Sequence, residues 1–304
     1  MSNKDVACNN TAKTVHHRIF AVSDIHVDYD ENRDWVAALS LTKYQEDTLL
    51  LAGDVSSDLD QIEQTLAALR SRFAHVFFVP GNHDLWLRSP EEVDSMAKFR
   101  VISDCCARLG IHTRPLKVGD GQIASGSVWV VPLQSWYMRR AEGEGSLYVM
   151  KPTEDNSRCI WADTHYIRWP GIALSSTAAV EFLAMNEADV DRSFDAPIIT
   201  FSHFLPRREL MFSSGKVEVQ EAPHPMDSHP EFNFSEVAGC QGLDVQIRRL
   251  GAKIHVYGHQ HRNRDLVIDG VRYVSHCLGY PRERELSQVD RLNTSPKLVW
   301  SSQT

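Results

Sequence analysis

The sequence predicts an α/β protein. Over the first 110 residues, short apolar runs alternate with helical patterns three times, an order that favours a parallel sheet covered by helices. Strand-like runs dominate the remainder. Five of the apolar runs end in Asp, Asn or His side chains, and ligands of open parallel sheets gather beyond the carboxyl ends of the strands.

Each element follows from its own pattern. Residues 1 to about 15 read as a loose tail, and 16–304 as a single domain. "RIFAVSDIH" is a buried strand ending on Asp24 and His26. "ENRDWVAALSLTKY" is helix-like, with Trp35, Leu39 and Leu41 among its apolar positions. "DTLLLAGDV" is a second strand, ending on Gly53 and Asp54. Leu59, Ile62, Leu66, Leu69 and Phe73 then recur at helical spacing, with Asp58 as N-cap and Gln61 completing a capping box. "HVFFVPGNHD" is the third strand, delivering Asn82, His83 and Asp84. In "SPEEVDSMAKFRVISDCCARLG", Ser89, Pro90 and Glu92 read as a capping box with proline at N1, and Gly110 as the C-cap.

In the second half, "GSVWVVPLQSW", "APIITFSHF", "KIHVYGHQH", "RDLVIDG", "VRYVSHC" and "KLVW" are strand candidates. "LVIDGVRYV" reads as a hairpin turning at Asp269-Gly270. The stretches near 137–195 and 206–240 show weak patterns and read as surface excursions.

Bulk properties narrow the function. The chain has 304 residues, 42% hydrophobic and 24% charged, an ordinary globular composition with length for a large core. A net charge of -8 argues against a duplex nucleic-acid partner. The cysteines are Cys8, Cys105, Cys106, Cys159, Cys240 and Cys277, with no C-x-x-C pair. That excludes a disulfide framework and a thiolate zinc site. The polar start and the absence of any apolar stretch of transmembrane length predict a cytoplasmic protein without a membrane partner. Oligomeric state is not readable from the sequence.

The polar strand ends share one vocabulary: Asp24, His26, Asp54, Asn82, His83, His203, His259 and His261. Oxygen and imidazole donors are what divalent cations require. In Asp24-Ile25-His26 and His259-Gln260-His261, one residue separates two donors, and in an extended chain alternate side chains point the same way. Gly53, Gly81 and Gly258 precede the donors, where glycine permits close backbone approach.

"SDIH", "LAGDV", "VPGNHD", "FSHF" and "VYGHQH", in this order, resemble the five blocks of the calcineurin-like metallophosphoesterase superfamily, over residues 18 to about 280. The resemblance implies two packed mixed β-sheets flanked by helices, with two metals at the strand ends. It implies that Asp24, His26 and His261 hold one metal, that Asn82, His203 and His259 hold the other, and that Asp54 bridges them. His83 matches the family's unligated histidine, which donates a proton to the leaving oxygen or steadies the phosphoryl group. The implied activity is hydrolysis of a phosphate monoester or diester by metal-activated hydroxide, on a phosphorylated small molecule. Nitrogen and oxygen donors without thiolate suit manganese, iron or zinc.

One departure qualifies the match. Related protein phosphatases carry an aspartate three residues after the bridging one; here that position is Ser57, and Asp58 lies one further on. Asp84 is the other candidate to orient His83, and the choice stays open. "GDVSSD" and "GNHD" disfavour a protein Ser/Thr phosphatase. A small-nucleotide phosphodiesterase or nucleotidase remains an alternative, whereas a non-catalytic scaffold is disfavoured because every ligand position is filled. Arginine binds phosphate bidentately, which makes Arg207, Arg208 and Arg282 candidate substrate contacts. "IWADTHYIRWP" and "GYPRERE" resemble stretches of uncharacterised superfamily members.

Overall fold

The structure, a computed structural model, describes residues 17–119, 126–155, 160–170, 178–217, 229–286 and 295–302. The expected tail at 1–15, Cys8, Cys159 and part of the 206–240 stretch lie outside the described residues.

β1 (Arg18–Val22), β2 (Thr48–Leu51) and β3 (His75–Phe78) pair in parallel, with α1 (Asp30–Ala38) and α2 (Leu59–Arg70) as crossovers and α3 (Ser95–Leu109) after β3. The strands are apolar on both sides because both faces are covered. Ile19, Ala21, Leu50 and Phe77 point into one cluster, while Phe20, Val22, Leu49 and Phe78 join Trp35, Ile62, Leu66 and Ile102 of the helices in another.

The second sheet contains β4 (Leu116–Gly119), β5 (Ser127–Pro132), β6 (Ile198–Phe201), β7 (Ile254–Tyr257), β8 (Arg264–Ile268) and β9 (Val271–Ser275), in the order β4-β5-β6-β7-β9-β8. Its four central strands are parallel and its edges antiparallel. β10 (Lys297–Ser301) returns to pair antiparallel with β1. Val128, Val130, Ile199, Phe201, Val256 and Val274 meet the inner residues of the first sheet. On the outer face lie α5 (Ala178–Val190) and α6 (Gly242–Arg249), through Phe182, Leu243 and Ile247. The result is the expected pair of mixed sheets flanked by helices. Its topology sends β1, β2, β3, β6 and β7 to one end of the molecule.

Local departures have local causes. The first helix stops at Ala38 and leaves Leu41 61% exposed. There the Ser40 hydroxyl accepts the N–H groups of Thr42 and Lys43 and starts a new turn. Glu92 does reach back to the Ser89 N–H at 2.9 Å, but its other oxygen is 2.8 Å from Lys98. The helix begins later, at the N-cap Asp94, which accepts from the Ala97 N–H at 2.7 Å. Gly110 closes it at φ 67°. Asp58 caps α2 by accepting from the Gln61 N–H at 2.9 Å. The hairpin turns where expected, with φ 48° at Asp269 and 79° at Gly270, the type I′ signature. Within the supposed excursion at 137–195, α5 is a core helix. Its apolar residues are not confined to one stripe, so its period is weak.

Candidate metal centre

Beyond the strand ends the backbone turns left-handed. φ is 50° at Asp24, 44° at His26, 58° at Asp54, 71° at His259 and 51° at His261. The expectation that extended backbone aligns each donor pair is therefore wrong: the pairs sit in tight turns. Such conformations cost non-glycine residues on the order of 1–3 kcal/mol each and persist only where the surroundings over-determine them. Here they do. The Asp24 N–H donates to the Gly53 carbonyl (2.9 Å), the His26 N–H to the Asp54 carbonyl (3.0 Å) and the His259 N–H to Asp24 Oδ1 (3.0 Å). Close approach explains the glycines. A Cβ on Gly81 would lie 2.2 Å from Asp54 Oδ1, and one on Gly53 would lie 2.5 Å from His203 Nδ1.

The seven expected ligands converge, each 0–7% exposed. On one side, His261 Nε2 lies 3.1 Å from His26 Nε2 and 3.4 Å from Asp24 Oδ1. On the other, His203 Nε2 lies 3.2 Å from Asn82 Oδ1 and 3.4 Å from Asp54 Oδ2, with His259 in the same group. Asp54 belongs to both sides, its Oδ2 also 4.0 Å from His26 Nε2.

The outer partners aim these atoms inward. His203 Nδ1 bonds the Ala52 carbonyl at 2.8 Å and His259 Nε2 the Val237 carbonyl at 3.0 Å, leaving the opposite nitrogen of each ring as a free lone pair. The Asn82 amide donates to Asp163 Oδ1 at 2.9 Å, which turns Oδ1 toward His203. His261 Nδ1 is held by Glu283 Oε2 at 2.6 Å. Imidazole and carboxylate atoms converging at 3.1–3.4 Å are an arrangement that cations can take over once the protons between them leave, and the donor set fits two divalent ions.

The electrostatics point the same way. Burial disfavours a charged imidazole, yet the Asp54 carboxylate outweighs it at His203 and pushes that histidine up to about 9. Asp24, helped by Glu283, does the same at His261, up to about 10. Burial holds His26 and His259 neutral, the latter down to about 3. Burial likewise opposes ionisation of Asp54, but the charges of His203 and His83 hold its carboxyl well below the usual range. The site thus retains positive charge between its carboxylates.

His83 sits at the open edge and is only half-buried. Its ring stacks on Trp86 at 3.6 Å, its backbone N–H donates to Asp54 Oδ1 at 2.9 Å, and its ring Nε2 is 3.3 Å from the Tyr280 hydroxyl. Neither candidate carboxylate orients it. Asp58 is occupied as a helix cap. Asp84 turns away and accepts four backbone N–H groups: Val55 (2.8 Å) and Ser56 (3.1 Å) at Oδ1, Asp54 (2.8 Å) and Gly81 (2.8 Å) at Oδ2. It ties the second strand-end loop to the third and has no access to substrate.

The arginines divide. Arg207 is engaged by Glu209 and Asp269, both at 2.8–2.9 Å, and Arg208 donates to the Ser146 carbonyl at 2.7 Å. Carboxylates take up the Arg207 donors, whereas Arg208 Nε is buried without a hydrogen-bond partner among the described residues. Arg282 is exposed on α7 (Pro281–Glu285), beside the site. Tyr280, Glu283 and Asp163 touch His83, His261 and Asn82 and are not among the residues that the sequence singles out. Their signal was the two unexplained segments: "GYPRERE" supplies Tyr280 and Glu283, and "IWADTHYIRWP" supplies Asp163, at the start of α4 (Asp163–Tyr166).

A model of the calcineurin-like phosphoesterase family matches residues 17–263. The chain belongs to that family. It is a metal-dependent hydrolase of phosphoric esters, of a family with a dinuclear centre. A curated relative, the [acyl-carrier-protein] phosphodiesterase PptH of Mycobacterium tuberculosis, is 29% identical over 278 residues, which are 87% of this chain and 78% of the relative. The crystal structure of phosphopantetheinyl hydrolase (PptH) from the same organism superposes with a TM-score of 0.71 and 24% identity, covering 94% of this chain and 96% of that one. That likeness shows the fold. Among the described residues, no helix is long and apolar enough to cross a membrane.

Proposed function

We propose that this calcineurin-like phosphoesterase is a phosphodiesterase that removes a phosphopantetheinyl group from a carrier protein. The substrate class rests on the relative that aligns over 87% of the chain. It widens the expectation of a small-molecule substrate to a protein-borne ester. The chemistry rests on one observation: buried donors gather as Asp24, His26 and His261 on one side and Asp54, His203 and His259, with Asn82, on the other, and Asp54 Oδ2 reaches from the second side to within 4.0 Å of His26 on the first.

In this reading Asp24, His26 and His261 hold one cation, Asn82, His203 and His259 the other, and Asp54 both. The nitrogen and oxygen set suits manganese, iron or zinc. When bound, two such ions supply Lewis acidity and make water acidic enough to ionise near neutral pH. The chain does the rest. Asp163 and Glu283 fix the Asn82 amide and the His261 ring, and Asp84 anchors the loop that carries Asp54. His83 delivers a proton to the leaving oxygen, with Trp86 holding the plane of its ring and Tyr280 beside its Nε2. Arg282 meets the substrate at the rim. The buried free thiols of Cys105, Cys106, Cys240 and Cys277 suit a reducing cytoplasm.

The test is a panel run on protein reconstituted with each metal. The substrates are phosphopantetheinylated carrier protein, p-nitrophenyl phosphate, its bis-ester and small nucleotides. Cleavage of the carrier-protein ester with the highest kcat/KM is expected. A preference for nucleotides by an order of magnitude refutes the substrate class.

A further inference from the structure

A cavity of about 510 Å³ adjoins the His259 side of the metal centre, within the roughly 300–1,000 Å³ range of ligand sites. It shares its wall with the site. The carbonyl of Val237, a lining residue, accepts from His259 Nε2 at 3.0 Å. The ring of Trp161 stands edge-on to His259 at 5.8 Å, while its Nε1 donates to Asp163 Oδ2 at 2.9 Å. The cavity is therefore a space adjoining the centre into which a group attached to a phosphoryl there can extend.

Its lining selects the chemistry. Trp161 and Phe232 lie face to face, 5.4 Å apart and 10° from parallel. Together they form an aromatic wall of the cavity, against which branched aliphatic groups can pack. Arg139 supplies N–H donors, one 3.4 Å from the Thr164 hydroxyl. Asp155, Glu231 and Glu236 add carboxylates. Arg139 and Arg140 can donate to amide carbonyls, and the carboxylates can take an amide N–H beside the partners they already have.

We infer that this cavity receives the pantetheine arm of the ester, a neutral chain of two amides ending in a gem-dimethyl alcohol; this rests on the phosphopantetheinyl reading above. The probe is pantetheine itself, without phosphate, titrated calorimetrically into the metal-free full chain. Two variants open and block the cavity: Phe232→Ala removes the aromatic wall, and Ala141→Trp plugs the mouth from an exposed position that leaves the core intact. Circular dichroism checks the fold of each.

Both variants should weaken pantetheine binding at least tenfold. Both should also lower kcat/KM on phosphopantetheinylated carrier protein at least tenfold more than on bis(p-nitrophenyl) phosphate. Pantetheine bound equally by wild type and folded Ala141→Trp overturns the inference, as does failure of wild type to bind it. Adenosine 5′-monophosphate bound in its place, and displaced by the plug, overturns it too. If pantetheine binds in the cavity but loaded enzyme leaves the carrier-protein ester intact, the cavity assignment stands and the proposed function fails. If the carrier-protein ester is cleaved equally by all three proteins, the function stands and the cavity assignment fails.

Discussion

Replacing Asp84 with asparagine should damage a site that Asp84 never touches through substrate. Its carboxylate is fully buried and accepts four N–H groups, two at each oxygen. An asparagine keeps one oxygen and turns an NH2 group toward the other pair. Two buried backbone donors then lose their acceptor, at about 1–3 kcal/mol each, so the variant should lose about 2–6 kcal/mol. Against a typical stability of about 5–15 kcal/mol, that is a large fraction. The orphaned donors belong to Asp54 and Gly81, or to Val55 and Ser56, depending on which way the amide turns. Either choice loosens the loop carrying Asp54, the proposed bridge. The assay is urea unfolding of metal-free protein, followed by elemental analysis after metal loading. A stability loss under about 1 kcal/mol with two metals still bound per chain would refute the anchoring role.

Other outcomes follow from the same geometry. Asp54→Asn should abolish activity and lower occupancy at both metal positions, read by elemental analysis, because only Asp54 faces both groups; near-normal turnover excludes a bridge. His83→Ala should keep its metal and lose about 10²–10⁴-fold in kcat, with a smaller loss for p-nitrophenolate esters, whose leaving groups scarcely need a proton. Equal losses for good and poor leaving groups would reduce His83 to a phosphoryl contact. His203 and His261 are raised to about 9 and about 10, so both bind protons near neutrality and must release them to bind cations. Metal affinity by competitive titration should therefore rise with pH up to about 10. By linkage, the contribution of these two histidines to metal-free stability should be fully present below about 6.5 and fall as pH climbs through their raised values, which a His261→Gln variant should flatten; an unchanged profile above neutrality would count against the proton-for-cation exchange. Glu283→Gln should weaken the cation held by Asp24, His26 and His261 by about 10–100-fold and spare the other; uniform weakening on metal titration would show that Glu283 acts through the fold.

The parts of this molecule that were legible from sequence are those encoded locally. Strands covered on both faces read as continuous apolar runs, and their polar ends stood out because Asp54, Asn82 and His203 interrupt such runs abruptly. The family blocks then organised the ligands into two groups. What escaped depends on packing between distant segments. Asp84 looks catalytic by its place beside His83, yet its direction is set by backbone amides of a loop nearly thirty residues earlier. Arg207 follows a ligand strand but meets Asp269 of the β8–β9 hairpin, a partner no spacing rule announces. The helix α5 was lost because its apolar residues spread around the helix. Tyr280 and Glu283 lie within a segment already marked as unusual, but only the fold reveals that they face His83 and His261.

The left-handed turns carry a consequence for re-engineering the centre. Asp, Asn and His are the non-glycine residues that most readily enter that region, and they are also the oxygen and imidazole donors. At Asp24, His26, Asp54, His259 and His261, donor chemistry and backbone tolerance thus select the same short alphabet. Glutamate or cysteine could bind a cation there and would still be rejected by the chain itself. Asn82, at φ -70°, and His203, outside the left-handed set, carry no such restriction. An effort to retune the enzyme toward a softer metal should vary those two positions and leave the other five alone.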